Sequence, residues 1–354
     1  MKRVYINGLG SISSQKTFDN TVFLDEIVTY EDNVIAVIDP NYKEFIPPAA
    51  ARRMAKGIKM GIVASKIALA DAGRQNVDAV ITGTGFGCTI DSEKFLGNLI
   101  DNKEEYLTPT SFIQSTHNTV AGQIALNLGC QGHNFTYVHA NISFESALID
   151  AFMQLQNEEE NNILIGGIDE SGQHTIKIQR LIHHIKKEAI KSTELLNSNT
   201  KGTVFSEGAN FFVLSNEQQA SSYAEHIATG TFNTLSKENL PQAITSFLKE
   251  NKIDIDDVDA IVLGNNGDIA YDSYYHVLSE GIFKNTQQLY YKHLCGEFFT
   301  ASSFGFWLAS KILKTQRVPE AVKLNDKKSA DINTILLYNQ YRGENHSFTL
   351  LKKC

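Results

Sequence analysis

Short apolar runs alternate along this chain with longer segments in which apolar residues recur at helical spacing. Residues 77–82 and 163–168 are predicted as buried strands, and residues 203–214 as a strand pair broken at Gly208. The alternation restarts in the second half, where the pattern predicts strands at 226–232, 258–263 and 334–338 and helices at 240–250 and 303–314. This alternation is typical of sheets covered by helices and predicts an α/β fold.

One strand-to-helix junction has the outline of a catalytic elbow. A β-branched and aromatic run ends at Ala140, and a helix rich in Ala, Leu and Ile is predicted from about Ser143 to Leu155. Such a turn aims one side chain at the positive end of a helix, where a thiol is acidified and an oxyanion is stabilised. Here that side chain is Asn141. Because a carboxamide neither ionises near neutral pH nor attacks a thioester, the element is either a structural turn or a disarmed catalytic site.

Composition narrows the classes of protein to consider. The 354 residues are enough for one large two-lobed core or two domains, and 42% hydrophobic residues are ordinary for a globular α/β protein. The net charge of −8 argues against a general nucleic-acid or membrane-surface binder. No apolar run approaches the roughly 18 residues of a membrane span, and Met1-Lys2-Arg3 leads directly into a strand. These features predict a soluble cytoplasmic protein.

The cysteines add no metal or disulfide signal. Cys88, Cys130, Cys295 and Cys354 are scattered without Cys-x-x-Cys spacing, which favours reduced thiols. Cys295 is predicted to be a buried, inert thiol, since nothing in the sequence aims a helix N-terminus or a cation at it.

Several short motifs, taken in order, resemble those of the β-ketoacyl synthase branch of the thiolase-like superfamily. Ser206-Glu207-Gly208-Ala209 is close to that family's Gly-Glu-Gly-Ala signature, and residues 341–345 look like a degraded form of its C-terminal Phe-Gly-Gly-x-Asn turn. The other similar segments, in family order, are an opening strand and glycine turn at 4–10, a first long helix at 52–73, and residues 82–87, 118–125 and 132–134. No single motif is specific, but the ordered set is.

This resemblance implies a thiolase-like fold of two related αβαβα halves that form a five-layered core. The sequence contains no clear internal repeat, but the polar segment at 215–222 is the natural seam between the halves. The expected halves are therefore residues 1–215 and 222–354.

The resemblance also implies three losses at catalytic positions. Active members carry Cys at the elbow, where this chain has Asn141, and His in an Asn-Ala-His loop, where it has Asn266. A second histidine, in a Lys-x-x-x-Gly-His segment, is replaced by Glu297, whereas Lys292 of that segment is retained. Decarboxylative condensation needs a thiolate to carry the acyl chain and imidazoles to stabilise the enolate. His293 could restore one histidine if the register were shifted, but nothing restores the cysteine.

Other features have simpler interpretations. Gly8-Leu9-Gly10 lacks the third glycine of a dinucleotide fingerprint, so we expect no nucleotide cofactor. The basic stretch 176–187, with His183-His184, is predicted as a solvated surface helix, with docking of an acidic acyl carrier protein as the alternative. Lys292 is either a catalytic relic or a lysine that holds the former site together through Glu297. Scattered acidic residues are common, so we expect no metal site from the three carboxylates near these motifs. They are Asp268, Asp272 and Glu297.

Two hypotheses of function follow. The first is a non-catalytic partner similar to the chain-length-factor subunits that dimerise with an active ketosynthase and shape its acyl tunnel in fatty-acid, polyketide or polyene-type biosynthesis. The alternative is an acyltransferase or malonyl-thioester decarboxylase with altered chemistry, but decarboxylating relatives keep the histidines that this chain has lost. The expected partners are an active ketosynthase or a second copy of the chain, and an acyl carrier protein. By the same resemblance, the loop at 108–118 would reach the dimer axis and place three tunnel residues there: Phe112, Ile113 and Gln114.

Overall fold

A computed structural model describes residues 2–354, and its strands form one ten-stranded mixed sheet. The strands are β1 (Val4–Ile12), β2 (Ala79–Gly83), β3 (Asn134–Tyr137), β4 (Asn162–Asp169), β5 (Gly208–Ser215), β6 (Ala224–Asn233), β7 (Ala260–Leu263), β8 (Gln287–Tyr290), β9 (Thr334–Tyr341) and β10 (Asn345–Lys352). Their order across the sheet is β3-β2-β4-β5-β1-β6-β10-β9-β7-β8.

Helices connect and cover these strands. They are α1 (Pro48–Ala51), α2 (Lys56–Asp71), α3 (Thr89–Asp101), α4 (Pro109–Ser115), α5 (Thr119–Leu128), α6 (Ser143–Gln156), α7 (Gln173–Leu181), α8 (Leu240–Glu250), α9 (Ser273–Ser279), α10 (Lys292–Cys295) and α11 (Ser302–Thr315). Within residues 2–354, none of them combines the length and the apolar character that a membrane crossing requires.

The strand order repeats outward from the central pair of β1 and β6. One arm runs β5, β4, β2, β3 and the other runs β10, β9, β7, β8. In the first arm β2 is parallel to β3 and β4, and in the second β7 is parallel to β8 and β9. The repeated topology is compatible with two related halves. The division into residues 1–215 and 222–354 stays a prediction.

The helices and the two arms of the sheet stack in five layers, so the predicted thiolase-like α/β fold is confirmed. Helix α6 packs on β2, β4 and β6, and α11 packs on β1, β5 and β9, so both lie between the arms. Helices α2 and α5 cover the outer face of the first arm. Helices α8 and α9 cover the outer face of the second arm.

Burial on both faces explains why the strands are continuously apolar. Along β4, Ile163 and Ile165 face the central core, whereas Leu164 faces the outer helices. Along β9, Ile335 faces the central core and Leu336 the outer one. Successive side chains of a strand point to opposite faces, and each fully buried aliphatic side chain contributes about 1.5–3 kcal/mol. The continuous apolar runs in the sequence therefore correspond to strands that are buried on both faces.

The glycine turn expected at residues 4–10 is wrong, because both glycines lie inside β1. A Cβ atom on Gly8 would stand 2.2 Å from Ala68 O, and one on Gly10 would stand 2.0 Å from Ala64 O. The glycines are required because the backbone of α2 approaches β1 too closely for a side chain.

The strand pair expected at 203–214 is also wrong, because only β5 is a regular strand there. The preceding segment is extended and pairs with the backbone around Glu297. Ser206 N donates to Glu297 O at 2.9 Å, and Glu297 N donates to Val204 O at 2.8 Å. This segment therefore fixes the backbone of one residue of the candidate site.

Candidate functional site

Loops at the carboxyl ends of the parallel strands from both arms meet around one small cavity. Asn141 follows β3, Asn266 follows β7, Glu297 follows β8, and Tyr341 ends β9. The cavity has a volume of about 30 Å³. Its lining residues are Asn141, Gln179, His184, Thr203, Phe205, Asn266, Asp268, Tyr271, Glu297, Phe298, Phe299, Tyr341 and Arg342. The structure thus places the three positions that the sequence analysis singled out around one space.

Asn141 lies in a tight turn immediately before α6. Strand β3 ends at Tyr137, three residues before the predicted end, and a single 3-10 turn leads into the helix. Ala140 has a φ of +46°, in the left-handed region that residues other than glycine seldom adopt. Ser143 Oγ accepts a hydrogen bond from His139 N at 2.8 Å and holds the turn. Asn141 is 2% exposed, and its Oδ1 has no hydrogen-bond partner within residues 2–354.

Asn266, Glu297 and Lys292 form a buried hydrogen-bonded network on one side of the cavity. Asn266 Nδ2 and Lys292 Nζ each donate to Glu297 Oε2 at 2.7 Å. The lysine is 1% exposed and the glutamate 4% exposed, so water screens their attraction little. The Lys292–Glu297 pair that one of the two interpretations of the sequence requires is therefore present, and its role in holding the site together stays a prediction.

Asp272 and Asp169 hold the loops that carry these groups. Asp272 accepts hydrogen bonds from Asn266 N at 3.1 Å and Gly267 N at 2.8 Å, and burial raises its pKa to about 6. Asp169 accepts hydrogen bonds from Gly85 N at 2.8 Å and Thr300 N at 2.9 Å. Asp169 ties the loop after β2 to the segment after Glu297, a role the sequence analysis missed because it depends on contacts distant along the chain.

Aromatic side chains line much of the cavity that Asn141 also lines. The Phe299 ring lies against Gly85, where a Cβ atom would stand 2.1 Å from it. The same ring contacts Phe86, at a centroid distance of 4.5 Å, and Tyr341, at 5.7 Å. The cavity that these rings leave is smaller than known small-molecule pockets, which measure about 300–1,000 Å³.

His184 lines the cavity, which corrects the prediction that it lies on a solvated surface helix. Helix α7 ends at Leu181, and the chain then turns inward. His184 Nδ1 lies 2.8 Å from Gln179 Oε1 and 3.3 Å from Tyr341 Oη. Burial, with a smaller effect of the Arg342 charge, lowers its pKa. The sequence could not predict this position of His184, because it depends on the path that the chain takes after the helix ends.

Arg342, Asp268 and Tyr271 form a second polar group that lines the cavity. The Arg342 guanidinium lies over the Tyr271 ring, 4.8 Å from its centroid, and 3.8 Å from the Asp268 carboxylate. The carboxylates considered for a metal site are engaged elsewhere, and within residues 2–354 no group of three or more His, Cys, Asp or Glu is arranged to hold a metal ion.

Neither Cys295 nor His293 lines the cavity. Cys295 is 0% exposed, and burial raises the pKa of its thiol, as expected for an inert cysteine. His293 stacks on Tyr290 with ring centroids 3.9 Å apart, and its Nε2 lies 2.8 Å from Ala321 O. A shift in register therefore does not bring His293 to the cavity.

Burial of His293 and His226 gives a pH prediction. Burial lowers the pKa of each to about 3, so each is neutral in the folded chain and takes up a proton on unfolding below about pH 6.5. The contribution of these two neutral histidines to the free energy of unfolding is therefore fully present above about pH 6.5 and declines as the pH falls toward 3. At about pH 5, each histidine lowers the free energy of unfolding by about 2 kcal/mol. In urea unfolding between about pH 8 and pH 5, His293→Gln should remove about 2 kcal/mol of the decline in stability. An unchanged pH dependence would contradict this assignment.

Phe112, Ile113 and Gln114 lie on α4, outside the cavity. Phe112 is 53% exposed and Ile113 is 59% exposed. Phe112 packs on Phe95 with ring centroids 5.2 Å apart, and Gln114 Nε2 donates to Arg53 O. The apolar pair therefore faces outward, and its part in a tunnel stays a prediction.

Comparisons with known proteins agree with this architecture. The family model described as "Beta-ketoacyl synthase, N-terminal domain" matches residues 21–220, whereas curated protein sequences give no match. Similar solved structures include the ishigamide ketosynthase/chain length factor, with a TM-score of 0.81 and 16% identity over 100% of this chain and 99% of that one. A β-ketoacyl synthase from Burkholderia phymatum STM815 has a TM-score of 0.80 and 15% identity over 100% of both chains.

A third similar structure is the Xenorhabdus doucetiae ketosynthase ApeO in complex with its chain length factor ApeC. It has a TM-score of 0.76 and 14% identity over 100% of this chain and 98% of that one. At such identities the structures establish the fold alone, but the family model covers more than half of the chain. The sequence motifs, the sheet order and this match together show that the chain belongs to the β-ketoacyl synthase family.

Proposed function

We propose that this chain is a non-catalytic, chain-length-factor-type partner of an active ketosynthase in fatty-acid, polyketide or polyene-type biosynthesis. The observation that carries the proposal is the network in which Asn266 and Lys292 both donate to Glu297 beside Asn141. Of the three former catalytic positions, Asn266 and Glu297 hydrogen-bond to each other, and none of the three carries the thiol or the imidazoles that condensation uses.

The chemistry of these groups is wrong for condensation. An acyl chain must be carried on a nucleophile, and the Asn141 carboxamide cannot form that bond. The enolate that forms on loss of carbon dioxide requires positive or hydrogen-bonding groups, whereas the Glu297 carboxylate would oppose it. The cavity of about 30 Å³ has room for roughly one or two water molecules instead of a substrate.

An open sheet edge beside the elbow supports the partner role. Strand β3 ends the sheet on one side, and α5 and α6 pack next to it. Four apolar side chains on and beside this edge are 48–76% exposed: Leu126, Phe135, Val138 and Met153. At the opposite edge, Leu289 of β8 forms a bridge with Lys323, so a chain segment already covers that edge. An uncovered strand flanked by apolar side chains favours pairing with another chain.

We expect a dimer in solution, a homodimer when the chain is made alone and a heterodimer when it is co-expressed with a ketosynthase that carries Cys-His-His. Analytical ultracentrifugation at micromolar concentration and affinity co-purification measure these states. Phe135→Lys should weaken association at least about 30-fold, because it places an unpaired charge in an apolar interface. Ile269→Lys is the matched control, because Ile269 is an apolar residue, 53% exposed, beside the other arm. This substitution should leave the strength of association unchanged. A monodisperse monomer of the unmodified chain would contradict the proposal.

The proposal also assigns a role to Phe112 in the length of the partner's products. If a growing acyl chain meets this ring at the dimer interface, Phe112→Ala should lengthen the products of the reconstituted pair. Each methylene accommodated is worth about 0.8 kcal/mol, which biases the distribution roughly fourfold. Leu126→Ala, which truncates an exposed apolar residue beside β3, is the control and should affect association alone. A Phe112→Ala pair that stays dimeric with an unchanged product distribution would exclude this role.

An acyl carrier protein would present the growing chain to such a pair. In the similar structure AntDE:AntF, a type II polyketide synthase acyl-carrier protein is in complex with its ketosynthase. For this chain, contact with an acyl carrier protein would be secondary to the contact with the active subunit.

A further inference from the structure

Helices α3 and α4 form a hairpin, residues 89–115, that few buried side chains hold to the rest of the chain. One residue of each helix is buried, Thr89 in α3 and Ser111 in α4, and the two helices pack mainly on each other. Five large apolar side chains along the hairpin are 53–91% exposed: Leu96, Ile100, Tyr106, Phe112 and Ile113. Because the hairpin buries little apolar surface, the polar contacts at its base decide how firmly it is held.

The carboxyl group of Glu170 joins the base of this hairpin to α2. Glu170 directly follows β4 and is 1% exposed. Its Oε1 accepts a hydrogen bond from Ile90 N at 2.8 Å, in the first turn of α3, and its Oε2 accepts one from Gly57 N at 2.5 Å, in the first turn of α2. Neither helix is capped by the side chain of its own N-cap residue. Since the first N–H groups of a helix have no partner inside it, one carboxyl group caps both helices.

No cation neutralises this carboxyl group. Within residues 2–354 Glu170 forms no ion pair, and Lys56, at the start of α2, pairs with Glu207 instead. Burial raises the pKa of Glu170 to about 7, against the effect of its two backbone hydrogen bonds, and the charges of Asp91 and Glu207 add to the rise. Burial also raises the pKa of the neighbouring Cys88 thiol, which therefore stays neutral. Glu170 thus changes its charge close to neutral pH.

We propose that Glu170 is a pH-sensitive latch, which holds the α3–α4 hairpin closed while its carboxyl group carries a proton and favours release of the hairpin when that proton passes to solvent. Movement of α3 away from the core would expose the carboxyl group to water, where the pKa of a glutamate returns toward its ordinary value of 4.5. The closed state therefore binds the proton more tightly than the open state. Its advantage is complete below about pH 4.5 and is lost as the pH rises through about 7.

Hydrogen–deuterium exchange of the full chain, followed by mass spectrometry, measures the opening of the hairpin. In peptides that cover α3, the opening constant, corrected for the intrinsic exchange rate at each pH, should rise at least about tenfold from about pH 5.5 to about pH 8. Glu170→Gln should abolish this rise, because a carboxamide does not titrate. Glu93→Gln is the matched control and should keep the rise, because Glu93 lies on α3 but caps the first turn of α7 through His174 N and Thr175 N.

Asp91→Asn keeps the test decisive if Glu170→Gln fails to fold. Removal of the Asp91 charge eases the ionisation of Glu170, so the midpoint of the rise should move to lower pH. An opening constant that stays constant or falls as the pH rises would overturn the proposal. A rise that survives in Glu170→Gln, or a midpoint that Asp91→Asn leaves in place, would do the same. None of these results bears on the partner role, since the test uses this chain alone.

Discussion

Restoring the elbow cysteine alone is expected to leave the chain unable to condense acyl and malonyl thioesters. In Asn141→Cys the new thiol would stand before α6, but Asn266 and Glu297 would still face the reacting carbon. General acid–base groups contribute about 10²–10⁴ in rate, and a single oxyanion donor about 10²–10³. The rate should therefore stay at least about 10⁴-fold below that of an active ketosynthase, measured by product formation from acyl- and malonyl-carrier thioesters.

Two control measurements on this variant are its thermal unfolding and the reaction of its new thiol with a thiol reagent. Its melting temperature should stay close to that of the unmodified chain, which shows that inactivity does not come from unfolding. Condensation at more than about 1% of an active homologue's rate would mean that the remaining groups support the enolate after all.

Breaking the ion pair beside the cavity is expected to have the largest effect on stability. Lys292→Met would leave the Glu297 carboxylate, which is 4% exposed, without its cation. Removing one partner of a buried pair costs about 3–5 kcal/mol, a large part of a typical total stability of about 5–15 kcal/mol. Urea unfolding at neutral pH measures the loss.

A second substitution separates the lost charge from lost packing. Lys292→Met combined with Glu297→Gln removes both charges and keeps an oxygen to accept from Asn266 Nδ2. The double variant should recover at least about 2 kcal/mol of the loss. A cost below about 1 kcal/mol for Lys292→Met would show that this pair does not hold the former site together.

Where the sequence predicted the fold well, the local pattern and the tertiary environment agree. Helix α8 has the predicted bounds, Leu240–Glu250, and β4 extends the predicted strand by one residue at each end. Strand β8 was not predicted, because Gln287-Gln288-Leu289-Tyr290 is polar and becomes a strand only by pairing with β7. The glycines of β1 were misassigned because a close helix and a tight turn both require glycine.

The residues of the candidate site were predictable where they belong to a sequence motif. They were unpredictable where the path of the chain between motifs determines which side chains reach the cavity. Motif order placed Asn141, Asn266 and Glu297, and the structure brings all three to one cavity. His184 and the ring of Phe299 reach the same cavity from segments without a motif. Their positions depend on the turn after α7 and on the loop that Asp169 holds through Thr300. The spacing of residues in the sequence gives no information about this turn or this loop.

The most direct test of the non-catalytic role is intact-protein mass spectrometry of the chain mixed with an active ketosynthase and an acyl-carrier thioester. If the chain is a non-catalytic partner, the acyl group should appear on the ketosynthase alone and the mass of this chain should stay unchanged. A stoichiometric acyl adduct on this chain would contradict the non-catalytic role and would instead support an acyltransferase or malonyl-thioester decarboxylase with altered chemistry.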